Sequence, residues 1–207
     1  MTLSFAIALL ASYLLGSIPT SQWVARTKGI DLRVVGSGNL GATNLYRALG
    51  MKYALPVGLF DALKGAVPVA VFGPLTHAGT VGSLVLGVTA VVGHVYPVFA
   101  RFKGGKGVAT SAGIVLGLAP AAFGASLALW GIVLTVSGYV SLASVVAAAM
   151  LPALVWLVQP SRRGMVVWFG VLALAIVWLH RANLRRLVNG TERRFGHRAA
   201  ATRGDGA

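Results

Sequence analysis

The stretch GVATSAGIVLGLAPAAFGASLALWGIVLTVSGYVSLASVVAAAMLPALVWLVQPS, Gly107 to Ser161, contains no Asp, Glu, Lys or Arg. About 20 apolar residues cross a hydrocarbon core about 30 Å thick, so this segment holds more than one crossing. Residues 1–25 and 65–100 are likewise free of charge. Of the 207 residues, 57% are hydrophobic and 11% charged, far from the charged surface that a soluble domain of this length needs. The fold class read from this is all-α and integral to a membrane. The net charge of +14 does not point to nucleic acid, because the basic residues stand between apolar blocks, as positive-inside loops do. The absence of cysteine removes disulfides, thiolate metal sites and any cysteine acyl-enzyme. The N-terminal segment reads as a first span, since its first charge, Arg26, follows a full crossing.

The basic residues locate the cytosol. Arg26 to Lys52 holds five, Arg101 to Lys106 three and Arg181 to Arg203 seven of the eighteen. With all three clusters inside, a first span from Leu3 to Trp23 runs inward, and Tyr53 to Gly73 and Thr80 to Phe99 return as a pair. Between Lys106 and Arg181 the number of crossings must then be even, yet three blocks are visible. The first, Gly107 to Val136, would be about 45 Å long as one helix and contains Leu118-Ala119-Pro120, so it is divided there. Seven transmembrane helices follow, with the N-terminus outside and the C-terminus cytosolic. Gly107 to Leu118 is short for a crossing, and Arg162 and Arg163 fall outside. Residues 1–196 are expected to form one membrane-embedded domain and 197–207 a basic, solvated tail.

Three polar loops then fall on one face. GIDLRVVGSGNLGATNLYR, Gly29 to Arg47, contains a G-x-G-x-x-G match, but no strand-helix-strand unit surrounds it, so a dinucleotide site is rejected. Ser37, Asn39, Asn44 and Arg47 remain as donors suited to an oxyanion. RFKGGKGVATSAG, Arg101 to Gly113, lacks the Ser or Thr directly after lysine that a P-loop uses for its metal. Its Gly104, Gly105 and Gly107 permit close backbone approach, and Lys103, Lys106 and a helix start near Val108 add positive potential. In HRANLRRLVNGTERRFG, His180 and Asn183 are three residues apart and share one face of a continuing helix. Glu192, among the arginines, is read as a structural ion pair. Asp61 and Lys64, at i and i+3, are read as a neutralising pair within the second span, and His94 as a structural histidine. Ser141 and Ser144 stand at the start of a span beside the cytosolic loops.

GSGNLGATNLYR, FKGGKGVAT and NLRRLVNGTE, in this order and supported by YVSLAS and DALKG, make the chain similar to the bacterial acyl-phosphate:glycerol-3-phosphate acyltransferases. The resemblance implies seven helices in the bacterial inner membrane. It also implies transfer of a fatty acyl group from acyl phosphate to the 1-hydroxyl of glycerol 3-phosphate, giving lysophosphatidic acid. It assigns Ser37 and Arg47 to catalysis or substrate contact, and the Gly104 to Gly107 loop with Lys106 to glycerol 3-phosphate. His180 and Asn183 belong to the active site and Glu192 to its support, while Asn39, Asn44 and Ser141 complete the expected phosphate contacts. Glycerol 3-phosphate, acyl phosphate and membrane lipid are the expected partners, with the protein acting as a monomer without cofactor or metal.

The hydroxyl proton has two candidate acceptors, His180 and a substrate phosphate oxygen. The four acids, Asp31, Asp61, Glu192 and Asp205, are scattered. Five residues after His77, His94, His180 and His197 stand Gly82, Phe99, Arg185 and Thr202, so no His-x-x-x-x-Asp unit of acyl-CoA-dependent enzymes is present. A transporter for a phosphorylated solute and a lipid-binding scaffold are the rival classes. The first would place polar residues near the bilayer midplane, and the second leaves the clustered Ser, Asn, Gly and His without a role.

Overall fold

The computed structural model describes residues 2–196, in which every regular element is helical. Helices α1 (Leu3–Ser17) and α2 (Thr20–Arg26) make the first crossing. Pro19 donates no hydrogen bond and holds Ile18 extended (φ −65°, ψ 111°), so the first span, read from the sequence as Leu3 to Trp23, extends to Arg26 and is broken at this point. After the short amphipathic α3 (Ala42–Leu49), α4 (Met51–Val67) continues through a π-helical turn (Pro68–Phe72) and the single turn α5 (Gly73–Leu75). Helix α6 (Gly79–Val95) returns and leads to a 3-10 turn at Val98–Ala100.

The uncharged segment divides into α7 (Val108–Leu118), α8 (Pro120–Ser137) and α9 (Val140–Val158). A 3-10 turn (Pro160–Met165) precedes α10 (Val166–Leu179), and α11 (Arg181–Val188) follows. Among the described residues, six helical segments are long and apolar enough to cross a membrane: Leu3–Arg26, Met51–Leu75, Gly79–Ala100, Pro120–Ser137, Val140–Val158 and Pro160–Leu179. The break expected at Pro120 is present. Ala119 leaves the helical region (φ −147°, ψ 67°), and Pro120 opens α8, where its missing N–H costs nothing.

Helix α7 has 11 residues, about 16 Å of rise, against about 27 Å for the 18 residues of α8. The far end of α8 is tied down, since Ala121 N–H donates to Gln159 Oε1 (3.1 Å) beyond α9. A short α7 leaving that level therefore ends well below the loop joining α8 to α9. Its N-terminus, next to Lys106, is sunk into the bundle. Arg162 and Arg163 on the far side are locally satisfied. The first donates to Thr80 Oγ1 (3.0 Å), and the second donates to the Trp156 carbonyl (3.0 Å) and stacks on its ring.

Small residues set the helix spacing where side chains would hold the backbones apart. A Cβ on Gly113 would lie 1.9 Å from the Ala62 carbonyl oxygen, and one on Gly65 would lie 1.9 Å from that of Thr110, so α4 and α7 touch backbone to backbone. The basic tail expected at 197–207 lies outside the described residues. Gly113→Ala is expected to destabilise the detergent-solubilised protein by about 2 kcal/mol through overpacking. Gly131→Ala on α8, where a Cβ meets nothing within 4 Å, should leave the thermal midpoint unchanged or slightly raised. Equal midpoints for the two variants would refute the close contact.

Candidate active site

One cavity of about 560 Å³ gathers the three polar loops. Its polar end is lined by Ser37, Asn39, Asn44, Arg47, Lys106, Ser141, His180, Asn183 and Glu192. Its other arm runs between α4, α7, α8, α9 and α10, past Leu55, Leu59, Val115, Phe123, Leu127, Leu151 and Leu172. Leu55, Leu59 and Leu127 are each more than half exposed, so the apolar arm opens sideways onto the face that lipid would cover.

At the polar end, Glu192 is the hub. Its Oε1 accepts from Ser141 Oγ (2.8 Å) and Asn183 Nδ2 (2.7 Å), and its Oε2 accepts from Arg186 Nε (2.7 Å). Burial acts to raise its pKa, but the bonds from Asn183, Arg186 and Ser141 outweigh it and hold the carboxyl below its usual range. With its amide hydrogen committed to Glu192, Asn183 presents its Oδ1 to Lys106 Nζ. Glu192 thus orients Asn183, and Asn183 anchors the lysine. Burial, with the charges of Arg186 and Arg47, lowers the Lys106 pKa to about 8 against the attraction of Glu192.

His180 sits at the junction of α10 and α11 (φ −94°, ψ 2°). The chain ends one helix and begins another here, which corrects the expectation of one continuing helix through His180 and Asn183. Both still line the cavity. His180 Nδ1 lies 2.8 Å from the Ile176 carbonyl oxygen, which can only accept, so Nδ1 carries the hydrogen and Nε2 keeps a free lone pair. Burial and the neighbouring Lys106 charge lower its pKa to about 4, and the ring is neutral at physiological pH.

The first loop is built from inside. Asn44 Oδ1 accepts from Ser37 N–H (2.9 Å), and its Nδ2 donates to the carbonyls of Leu32 (3.1 Å) and Val35 (2.9 Å). Both donors of Asn44 are spent, so its expected role as a phosphate donor is corrected to one of shaping the turn that presents Ser37. Ser37 itself is exposed and lines the cavity. Asn39 lines it with a buried Oδ1 that has no partner among the described residues. Arg47 is buried and donates to the Arg193 carbonyl (3.3 Å), beside the stacked rings of Tyr46 and Phe195. Ser141 is corrected in the same way as Asn44, because its hydroxyl hydrogen serves Glu192.

The glycine loop differs most from the expectation. Gly104 N–H and Gly105 N–H donate to the carbonyls of Val95 and His94, each at 3.1 Å. These amides close the end of α6 and are not free for a ligand, which corrects the reading of Gly104 and Gly105 as ligand-facing. Gly107 has φ +73°, a left-handed conformation that turns the chain directly into α7, whose first helical bond is Ser111 N–H to the Gly107 carbonyl (2.7 Å). The first-turn amides of α7 thereby carry the positive potential beside Lys106. His94 was not foreseen at this site. It lines the cavity, and no spacing in the sequence marks a contact with Gly105. Among the described residues no group of three His, Cys, Asp or Glu is arranged to hold a metal.

Cations and amide donors at the sunken end of an apolar, laterally open cleft define a membrane protein that handles an anion and an acyl-sized chain together. The chain belongs to the glycerol-3-phosphate acyltransferase family, whose model matches residues 6–190. It is 44% identical to the glycerol-3-phosphate acyltransferase of Geotalea daltonii, over 91% of this chain and 96% of that one. To that of Thermus thermophilus it is 46% identical, over 93% and 96%. A crystal structure of PlsY (YgiH), an integral membrane glycerol 3-phosphate acyltransferase in its glycerol 3-phosphate form, superposes with a TM-score of 0.85 at 38% identity, over 93% of this chain and 96% of that one. The lysophosphatidic acid form of PlsY superposes with a TM-score of 0.81.

If Lys106 binds phosphate as an ammonium, kcat/KM for a phosphorylated acceptor should fall as pH rises through about 8, where the free enzyme loses that proton. Lys106→Arg, if it retains activity, should move the alkaline limb upward, because arginine keeps its charge. An alkaline limb that stays in place with arginine would refute the assignment.

Proposed function

We propose that the protein transfers a fatty acyl group from acyl phosphate to the 1-hydroxyl of glycerol 3-phosphate, releasing lysophosphatidic acid and phosphate. The observation that carries this reading is the single cavity with a cationic, hydrogen-bonding end and an apolar arm open to lipid. A water-soluble phosphate monoester and a lipid-borne acyl donor can meet only in such a space. A transporter would instead bind its solute at polar residues near the midplane, where here the buried Asp61–Lys64 pair satisfies itself.

In this reading the 1-hydroxyl oxygen attacks the acyl carbonyl carbon, the carbon–oxygen bond to the phosphate breaks, and phosphate leaves with the bonding pair. Lys106, Arg47 and the start of α7 hold the two anions, and Ser37 offers a hydroxyl to the charge that develops on the carbonyl oxygen. His180 Nε2 accepts the hydrogen bond of the attacking hydroxyl and aligns it. The proton itself passes to a non-ester phosphate oxygen. An imidazole whose pKa is lowered to about 4 by burial and the Lys106 charge is a weak base, which favours the phosphate oxygen as the acceptor. Acyl phosphate is already activated, so positioning and charge stabilisation suffice and no metal is required.

Residues 1–196 act as one domain, functional as a monomer, in the bacterial inner membrane. Seven helices cross if α7 counts as a short crossing, with the N-terminus outside and the three polar loops and C-terminus in the cytosol, on the positive-inside rule.

Lysophosphatidic acid formation by the purified protein tests the reading. Acyl phosphate should support turnover that survives a chelator, and acyl-CoA should not. In sealed vesicles, externally added glycerol 3-phosphate should be consumed only where the cytosolic face is outward. Turnover with acyl-CoA alone, or chelator inhibition reversed by metal, would contradict the chemistry. Consumption by vesicles of the opposite orientation alone would contradict the topology.

A further inference from the structure

Bordering the cavity, a second cluster of polar groups lies inside the bundle. Lys64 on α4 is 1% exposed, and its Nζ donates to Asp61 Oδ1 (2.6 Å) and to the Ile18 carbonyl (2.6 Å). That carbonyl is freed by the Pro19 break between α1 and α2. His94 on α6, 8% exposed, turns Nδ1 toward the same Asp61 oxygen (3.8 Å). The opposite edge of its ring bears on the glycine loop, where a Cβ added to Gly105 would lie 2.1 Å from His94 Nε2. The ring is bounded on both sides, by Asp61 and by the backbone of Gly105.

We infer that His94 is a positioning residue for acyl transfer, an imidazole strut that fixes the glycine loop and so sets the place of Lys106. The inference rests on the proposed use of Lys106 for the phosphate of glycerol 3-phosphate. It gives Gly105 a different reason to be glycine from the one its sequence context invites. The missing Cβ makes room for a buried ring belonging to the protein, and the amide of Gly105 is occupied by the His94 carbonyl. Gly104 supplies an internal contrast. A Cβ there would meet main-chain and proline atoms, the His94 carbonyl oxygen at 2.1 Å, Pro97 Cδ at 2.6 Å and the Val95 carbonyl oxygen at 2.8 Å. Trimming the His94 side chain cannot relieve that collision, whereas it removes the one at Gly105.

The test is a mutant cycle read in the KM for glycerol 3-phosphate at saturating acyl phosphate. Gly105→Ala should raise that KM about tenfold or more in the wild-type background and by no more than about twofold in a His94→Ala background. Gly104→Ala should carry its full penalty in both. The KM for acyl phosphate should stay within about twofold for Gly105→Ala, which separates displacement of Lys106 from general damage. Where His94→Ala does not give monodisperse protein, His94→Asn, which removes the ring and keeps a donor toward Asp61, takes its place in the cycle. An equal Gly105→Ala penalty in both backgrounds would overturn the inference, since the methyl would then be colliding with ligand. A wild-type protein that forms no lysophosphatidic acid would instead overturn the proposed function, a result the cycle does not imitate.

Discussion

The Asp61–Lys64 ion pair, almost fully buried inside an apolar bundle, is the constraint on which the substrate site depends. Charges in such surroundings are costly unless paired and hydrogen-bonded, so the pair can exist only where its remaining polar atoms find partners. Lys64 finds the Ile18 carbonyl, which an unbroken helix would have kept for itself. The break that frees this carbonyl also redirects α2. There Ser21 Oγ donates to the Leu40 carbonyl (2.5 Å), and Gln22 exchanges bonds with Asp31 (2.9 Å) and the Leu32 amide (3.0 Å). The first loop, with Ser37, is therefore hung from the same break that satisfies Lys64. Arg33 ties that loop to the second by donating to the Ala100 carbonyl (3.0 Å). The pair thus helps to place two of the three loops that line the cavity.

The second arrangement is vertical. Because α7 is short, the glycine loop and Lys106 lie deeper than the neighbouring loop between α8 and α9, and the lysine loses enough water to lower its pKa to about 8. Depth makes each charge–phosphate contact stronger than it would be at a wet surface. Glu192 keeps this cationic end from flying apart, since it binds Arg186 directly and reaches Lys106 through Asn183.

Much of this was legible in the sequence. Uncharged runs and clustered arginines and lysines marked the helices and put the polar loops together, and Pro120 marked the division of α7 from α8. These features are local or compositional, which is why they can be read without contacts. What escaped is non-local or depends on where a donor is spent. Asn44, Ser141, Gly104 and Gly105 all have residue types suited to a ligand, and all are consumed by the protein itself. Pro19 is visible in the sequence, but not the carbonyl it frees for a lysine 46 residues away. The ring of His94 against Gly105 follows only from how α6 packs on the loop.

The most direct test of this account is the affinity for glycerol 3-phosphate, measured by calorimetry on detergent-solubilised Lys64→Met that remains monodisperse. Lys64 is buried and does not line the substrate cavity, so a site built independently of it would bind as the wild type does. A loss of about tenfold or more is expected, because Asp61 loses its ammonium partner and the Ile18 carbonyl keeps only its bonds from Thr20, while both loops lose their common anchor. Wild-type affinity in that variant would contradict it.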